Sequence, residues 1–264
     1  MRPWPIVAFA VPAVLILGSC RPDTVRIAFE PEVDATYRYE VQVESVTVTD
    51  LLGERRAEVR DEATLDIRQR VLELGDDGVR VEVELRRAGT GTQTFVMRFD
   101  RAAQLTEVES VEGIPAEALG RLGLSEIFPA AAGGPPLRPL APGDEWDIAE
   151  RVTLPNAEPA RLRGEGRLSE LGVIDGRDTA TVMSETTLPI ESTSPVGEGT
   201  QRLDGSQTTR SSVTYALADG GVLSAESTTA GEYAVTLLPP DGVGGPPVRG
   251  TLTVAVRSEV RRVE

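Results

Sequence analysis

From Val79 to Leu85 apolar and charged residues alternate without a break, with Val79, Val81, Val83 and Leu85 separated by Arg80, Glu82 and Glu84. A period of two fits an extended strand with one buried face, because successive side chains there point to opposite sides. The turn sequence Asp76-Asp77-Gly78 precedes this run, and Ala63, Leu65, Ile67 and Val71 form an apolar series on its other side. Two such runs around a short Asp/Gly turn predict a hairpin. The same period recurs along most of the chain, which confines the fold to sheets.

Upstream, Tyr37, Tyr39, Val41 and Val43 alternate with Arg38, Glu40, Gln42 and Glu44. Val46 and Val48 then fall in the opposite phase, which predicts a β-bulge near Glu44-Ser45. Downstream, Gly89-Thr90-Gly91 turns into Phe95, Met97 and Phe99, and a fifth strand follows around Leu105 to Val111. Between Ile114 and Phe128 the apolar spacing becomes helical, with Pro115 placed for a first turn, so one short helix is expected. Ala130 to Pro142 is rich in Ala, Gly and Pro, and alternation resumes at Gly143-Asp144-Glu145-Trp146.

The second part echoes the first. Leu162 to Leu171 with the turn at Asp175-Gly176 parallels Leu65 to Leu74 with the turn at Asp76, and Thr208 to Thr229 parallels Thr92 to Val111. Ser192 to Gln207 reads as a Ser/Thr/Gly-rich loop, and a last hairpin joins Tyr233 to Leu238 with Leu252 to Val260 through two Pro-Pro pairs. The expected fold is mainly β, with about a dozen strands. It is a curved antiparallel sheet or half-barrel built from two similar halves, 34–128 and 144–264, joined by a Pro/Gly-rich junction at 129–143.

Charge and side-chain chemistry narrow the function. The formal net charge is −15, and every one of the 27 basic residues is arginine. Such a surface lacks the basic patch that neutralises phosphates, so no nucleic-acid partner is expected. There is no histidine, which removes the usual general base near neutral pH, the Ser-His-Asp arrangement and the commonest zinc ligand. Paired carboxylates remain at Asp61-Glu62, Asp76-Asp77, and Glu82 with Glu84. Asp76-Asp77-Gly78 is turn chemistry, and Glu82 and Glu84 alternate with valines and belong to a solvent face. No acidic turn has the alternating oxygen spacing of a calcium loop. No catalytic residue, metal ligand or cofactor is expected.

Leu17-Gly18-Ser19-Cys20 closes an apolar run and resembles the lipobox of bacterial lipoprotein precursors. Arg2 supplies a positive n-region, and Ile6 to Leu17 form a charge-free h-region too short to span a bilayer and interrupted by Pro12. The resemblance implies cleavage of residues 1–19 and a diacylglycerol on Cys20, the only cysteine in the chain. The mature chain would have 264 − 19 = 245 residues, moored to the extracytoplasmic side of a cell membrane. Two or more acyl chains give a lasting anchor where one gives marginal binding. Residues 20–33 read as a tether, shorter if Val25 to Phe29 joins the sheet.

Lipobox, meander strands, a short helical insert and the Pro-Gly-Asp-Glu-Trp restart together look like a group of uncharacterised bacterial cell-envelope lipoproteins. More distantly they look like the half-barrel lipid carriers of the LolA and LppX kind, although the long apolar helices that cover a carrier's cavity are not evident here. The resemblance implies a non-enzymatic, membrane-anchored domain that is structural or binds an envelope protein partner. The alternative is a carrier for a lipid or other apolar ligand, held on the face bearing Tyr37, Tyr39, Val81, Val83, Phe95 and Met97.

Overall fold

The computed structural model describes residues 24–51, 55–76, 78–87, 91–101, 105–112, 134–152, 160–240 and 245–263. They form eleven strands: β1 (Thr36–Leu51), β2 (Arg55–Gly75), β3 (Gly78–Arg87), β4 (Thr92–Phe99), β5 (Leu105–Glu112), β6 (Glu145–Val152), β7 (Ala160–Ile174), β8 (Arg177–Val196), β9 (Gly199–Ala216), β10 (Val222–Leu238) and β11 (Val248–Arg262). The expected helix at Ile114 to Phe128 lies outside the described residues.

All eleven strands belong to one antiparallel sheet in the order β5-β4-β3-β2-β1-β11-β10-β9-β8-β7-β6. Nine of the ten pairings join consecutive strands, as short turns favour. The tenth, β1 with β11, sets Val41 opposite Val260 and joins the two meanders. β5 and β6 are the two edges, with no pairing between them among the described residues, so the sheet is not closed.

Two expectations need correcting. The register of β1 runs unbroken against both β2 and β11, so no bulge forms at Glu44-Ser45. Neighbours on both sides pin the strand, and Val46 and Val48 simply turn to the outer face, where they are half-buried. Ser192 to Gln207 is not a loop but the far parts of β8 and β9, paired from Ser192↔Leu203 to Val196↔Gly199. Serine and threonine hold this hairpin with little apolar signal. Thr187 and Thr208 bond across it, as do Ser184 and Ser211 further in.

The core lies on one face of the sheet. Tyr39 and Val41 of β1, Leu65, Ile67 and Val71 of β2, four residues of β3 and three of β4 share a cluster with Leu168, Ala180, Val182, Val213 and Tyr215 of β7 to β9. Val260 of β11 and Ala225 of β10 belong to the same cluster, so it runs unbroken across the sheet, and the near-complete burial of Val81, Val83 and Met97 is what a sheet curled into a roll around its apolar face gives. Each aliphatic side chain buried this way contributes about 1.5–3 kcal/mol relative to exposure.

The mouth of the roll lies where β1, β3, β8 and β10 begin. A strap of residues 25–31 crosses it with Val25, Ile27, Phe29 and Pro31 buried. Backbone bonds stitch the strap down: Val25 pairs with Leu140, the Phe29 amide donates to the Arg101 carbonyl, and the Glu30 amide donates to that of Asp219. The tether expected over 20–33 is therefore packed chain from Val25 onward.

At the other end the sheet narrows. β2 pairs with β3 only from Leu65 onward, and β7 accompanies β8 only as far as Thr187. Beyond these points a six-stranded wing, β2-β1-β11-β10-β9-β8, continues. Its exposed edges are blunted: β2 carries Arg56, Glu58, Arg60, Asp61 and Glu62, and β8 carries Pro189 and Pro195. Charge and proline on an edge discourage another chain from pairing there.

Gly220 fixes how closely the β9–β10 turn approaches the strap. Its φ is +66°, and a Cβ there would collide with the Ala28 carbonyl. Gly220→Ala should lower stability by about 2 kcal/mol or more, read from the urea midpoint of the unanchored chain, whereas an unchanged midpoint would mean the strap is not seated against this turn.

Candidate functional site

The six residues expected to form an apolar ligand face come together on β1, β3 and β4. Val81 sits between Val71 and Met97, and Val83 between Gln69 and Phe95. Tyr37 and Tyr39 continue the face on β1. All six are buried, and Val83 and Met97 have no exposed surface at all. They share one buried cluster with Val25, Ile27 and Phe29 of the strap, with Leu140, and with the inward residues of β7 to β9.

A polar latch closes the mouth above them. The Tyr37 hydroxyl donates to Asp219 Oδ2 at 2.9 Å, and Arg262 lies 3.8 Å from the same oxygen with its guanidinium 4.4 Å above the Tyr37 ring. The other Asp219 oxygen accepts from the Gly221 amide at 2.9 Å. Nearby, Arg101 approaches Glu30 and donates to the Gly75 carbonyl, tying strap, β4–β5 turn and β2–β3 hairpin together. The sequence marks Asp219 only as a turn residue. Its hydrogen-bonded partner is 182 positions away, so no local pattern announces the latch.

Burial pushes the phenols of Tyr37, Tyr39 and Tyr215 far above the ordinary tyrosine range. For Tyr37 the neighbouring Asp219 carboxylate and their hydrogen bond add to burial, while Arg262 pulls the other way. These groups stabilise the fold as neutral phenols.

Three of the paired carboxylates sit in solvated ion pairs. Glu82 lies 3.3 Å from Arg70 and Glu84 lies 3.6 Å from Arg68, while Asp61 faces Arg87 at 3.3 Å. Asp77 lies outside the described residues. Among the described residues, no three His, Cys, Asp or Glu side chains are placed to hold a metal ion. Such exposed pairs contribute little to stability, about 0–1 kcal/mol each.

A shallow trough of about 520 Å³ crosses β6 to β11, lined by Glu145, Arg167, Met183, Glu185, Arg210 and Arg257. Arg210 donates to both Glu185 oxygens, at 2.9 and 3.3 Å, which holds that carboxyl below its usual range. Within the trough Glu185 and Arg210 pair with each other, and Arg167 donates to the Met183 sulfur at 3.9 Å.

The wing offers a different surface. Its inner face continues the buried rows of the roll through Tyr233 and Val235 on β10, Leu252 and Val254 on β11, Ile190 on β8 and Val59 on β2. Tyr233 and Val235 are buried, Leu252, Val254 and Ile190 are half-buried, and Val59 is 63% exposed. Three hairpin ends lie at the wing's tip, where Val196, Leu238 and Val248 are exposed. Cys20 lies outside the described residues, at a position five before Val25.

The phenols give a testable alkaline limit. An unfolded tyrosine ionises near pH 10, whereas Tyr37, Tyr39 and Tyr215 keep their protons in the fold. Above that pH the unfolded chain holds fewer protons than the folded one, so stability is intact below about pH 10 and falls as pH rises. Absorbance at 295 nm should show these phenols ionising together with loss of the β signal in circular dichroism. Ionisation near pH 10 with the fold intact would mean they are not buried. No protein-family model matches the chain, and no curated protein matches it.

Proposed function

We propose that the protein is a bacterial cell-envelope lipoprotein, anchored through a diacylglycerol on Cys20 to the extracytoplasmic side of a membrane. It is non-enzymatic and presents its β wing to an envelope protein partner. The observation that carries the partner reading is the filled core. The face with Tyr37, Tyr39, Val81, Val83, Phe95 and Met97 is buried in one cluster with the chain's own strap and second meander, whereas the wing's inner face keeps Leu252 and Val254 half-buried and Val59 exposed. Solvated, ion-paired carboxylates and the lack of histidine support a role in binding over one in chemistry.

The finer architecture in this reading is a half-barrel of two repeats. β1 to β5 and β6 to β10 run in the same direction across the sheet, with β11 between them. Register shifts interrupt the equivalent hairpins β2–β3 and β7–β8, and again β4–β5 and β9–β10. A carrier role is the second reading, favoured by the half-buried apolar residues of the wing's inner face, where an acyl chain would lie along Leu252 and Val254 beside exposed Val59.

Cys20→Ser should move the protein from the detergent phase to the aqueous phase or leave it unprocessed. Unchanged partitioning of that variant would remove the anchor from this account. Native mass spectrometry and lipid extraction of the Cys20→Ser chain separate the two roles, a ligand-free chain supporting the partner reading and a stoichiometric lipid supporting the carrier.

A further inference from the structure

We infer that the anchored domain stands with the strapped mouth of its roll against the bilayer, its rim hydrophobes in the lipid interface and its wing projecting away from the membrane. The inference rests on acylation of Cys20 and adds a direction to it. Five peptide steps separate Cys20 from Val25, and at about 3.6 Å per residue they reach at most about 18 Å. Val25 is buried and hydrogen-bonded in both directions to Leu140, so the leash cannot lengthen without pulling the strap out of the core. The far tips are out of that reach, because β8 alone, with 20 residues, extends over roughly 60 Å at about 3.3 Å per residue.

The rim is made for such a contact. Val33 stands in the turn before β1, Leu74 at the end of β2, Val173 and Ile174 at the β7–β8 hairpin, and Val263 just past β11. Each is between 40% and 55% exposed. These elements end around one mouth, so their side chains form a ring of apolar points and not a row along one strand. Exposed Asp34, Glu73, Asp76 and Asp175 stand beside them. The carboxylates would be repelled by anionic headgroups within a Debye length of about 8 Å at physiological salt, so the ring suits a neutral lipid surface, which its apolar side chains enter and its carboxylates do not oppose.

The test uses the full lipidated chain reconstituted into phosphatidylcholine vesicles containing a lipid spin-labelled high on its acyl chain. Because Cys20 is the only cysteine and acylation blocks its thiol, an introduced cysteine carries the only reactive group. A thiol-reactive fluorophore is placed singly at Leu74→Cys and Ile174→Cys on the rim and at Val196→Cys and Val248→Cys on the tips. All four sites are exposed, so the fold should tolerate them. Labels at the rim, within ~5–10 Å of the acyl boundary, should be quenched about threefold more than labels at the tips. Replacing a third of the lipid with phosphatidylglycerol should reduce the rim quenching. Equal quenching at both ends, or stronger quenching at the tips, overturns the orientation while leaving the anchor intact. An unmodified chain that itself takes up the fluorophore or fails to float with the vesicles overturns the anchor, and the orientation with it.

Discussion

A sheet of eleven strands with one apolar face must find something to cover that face, and here the cover is the sheet itself. Rolling gathers Val79, Val81, Val83, Phe95 and Met97 of the first meander into one buried cluster with Leu168, Val182 and Val213 of the second. The pairing of β1 with β11 makes this possible, since it turns two separate meanders into one continuous surface. The remaining gap is at the mouth, and the strap fills it with Ile27 and Phe29. With one cysteine no disulfide can form within the chain, so packing carries the stability.

The chain divides its labour along the strand direction. Near the mouth the inward positions are large and apolar, and further out they become Ser184, Ser211, Thr209 and Thr229, which bond to one another across the strands. Small hydroxyl residues let neighbouring strands curl closely and keep their polar atoms satisfied. Past this band the apolar pattern returns in the wing, where Tyr233 and Val235 are buried, Leu252 and Val254 are half-buried and Val59 is exposed. A packed base and an open wing fit a part that is held at one end and used at the other.

Much of the sheet was legible because its period is two. The hairpin around Asp76-Asp77-Gly78 reads directly, as do the inward faces of β1, β3 and β4, since hydrophobic alternation and turn chemistry both act locally. Ser192 to Gln207 was illegible as strand because its pairing depends on backbone bonds and hydroxyl contacts, which leave little hydrophobic trace. The Val46 and Val48 phase flip misled for the opposite reason. It is a real local signal, overridden by register held on both sides. With one short helix available as a lid, the second half of the chain could be named as the better cover for the face bearing Tyr37 and Met97, but the strap could not, because an alternating pattern says that a face is covered and not by what. The latch of Asp219, Tyr37 and Arg262 was hidden by sequence distance alone.

Hydrogen exchange on the delipidated Cys20→Ser chain tests most directly whether the inner face is covered by the protein itself. Self-packing predicts that amides of Val79 to Leu85 and Phe95 to Phe99 exchange only through global unfolding, while those at the far ends of β2 and β8 exchange through local opening of the wing. Loss of protection in β3 and β4 on removal of lipid, with the rest of the sheet still protected, would show that a ligand and not the second meander covers that face.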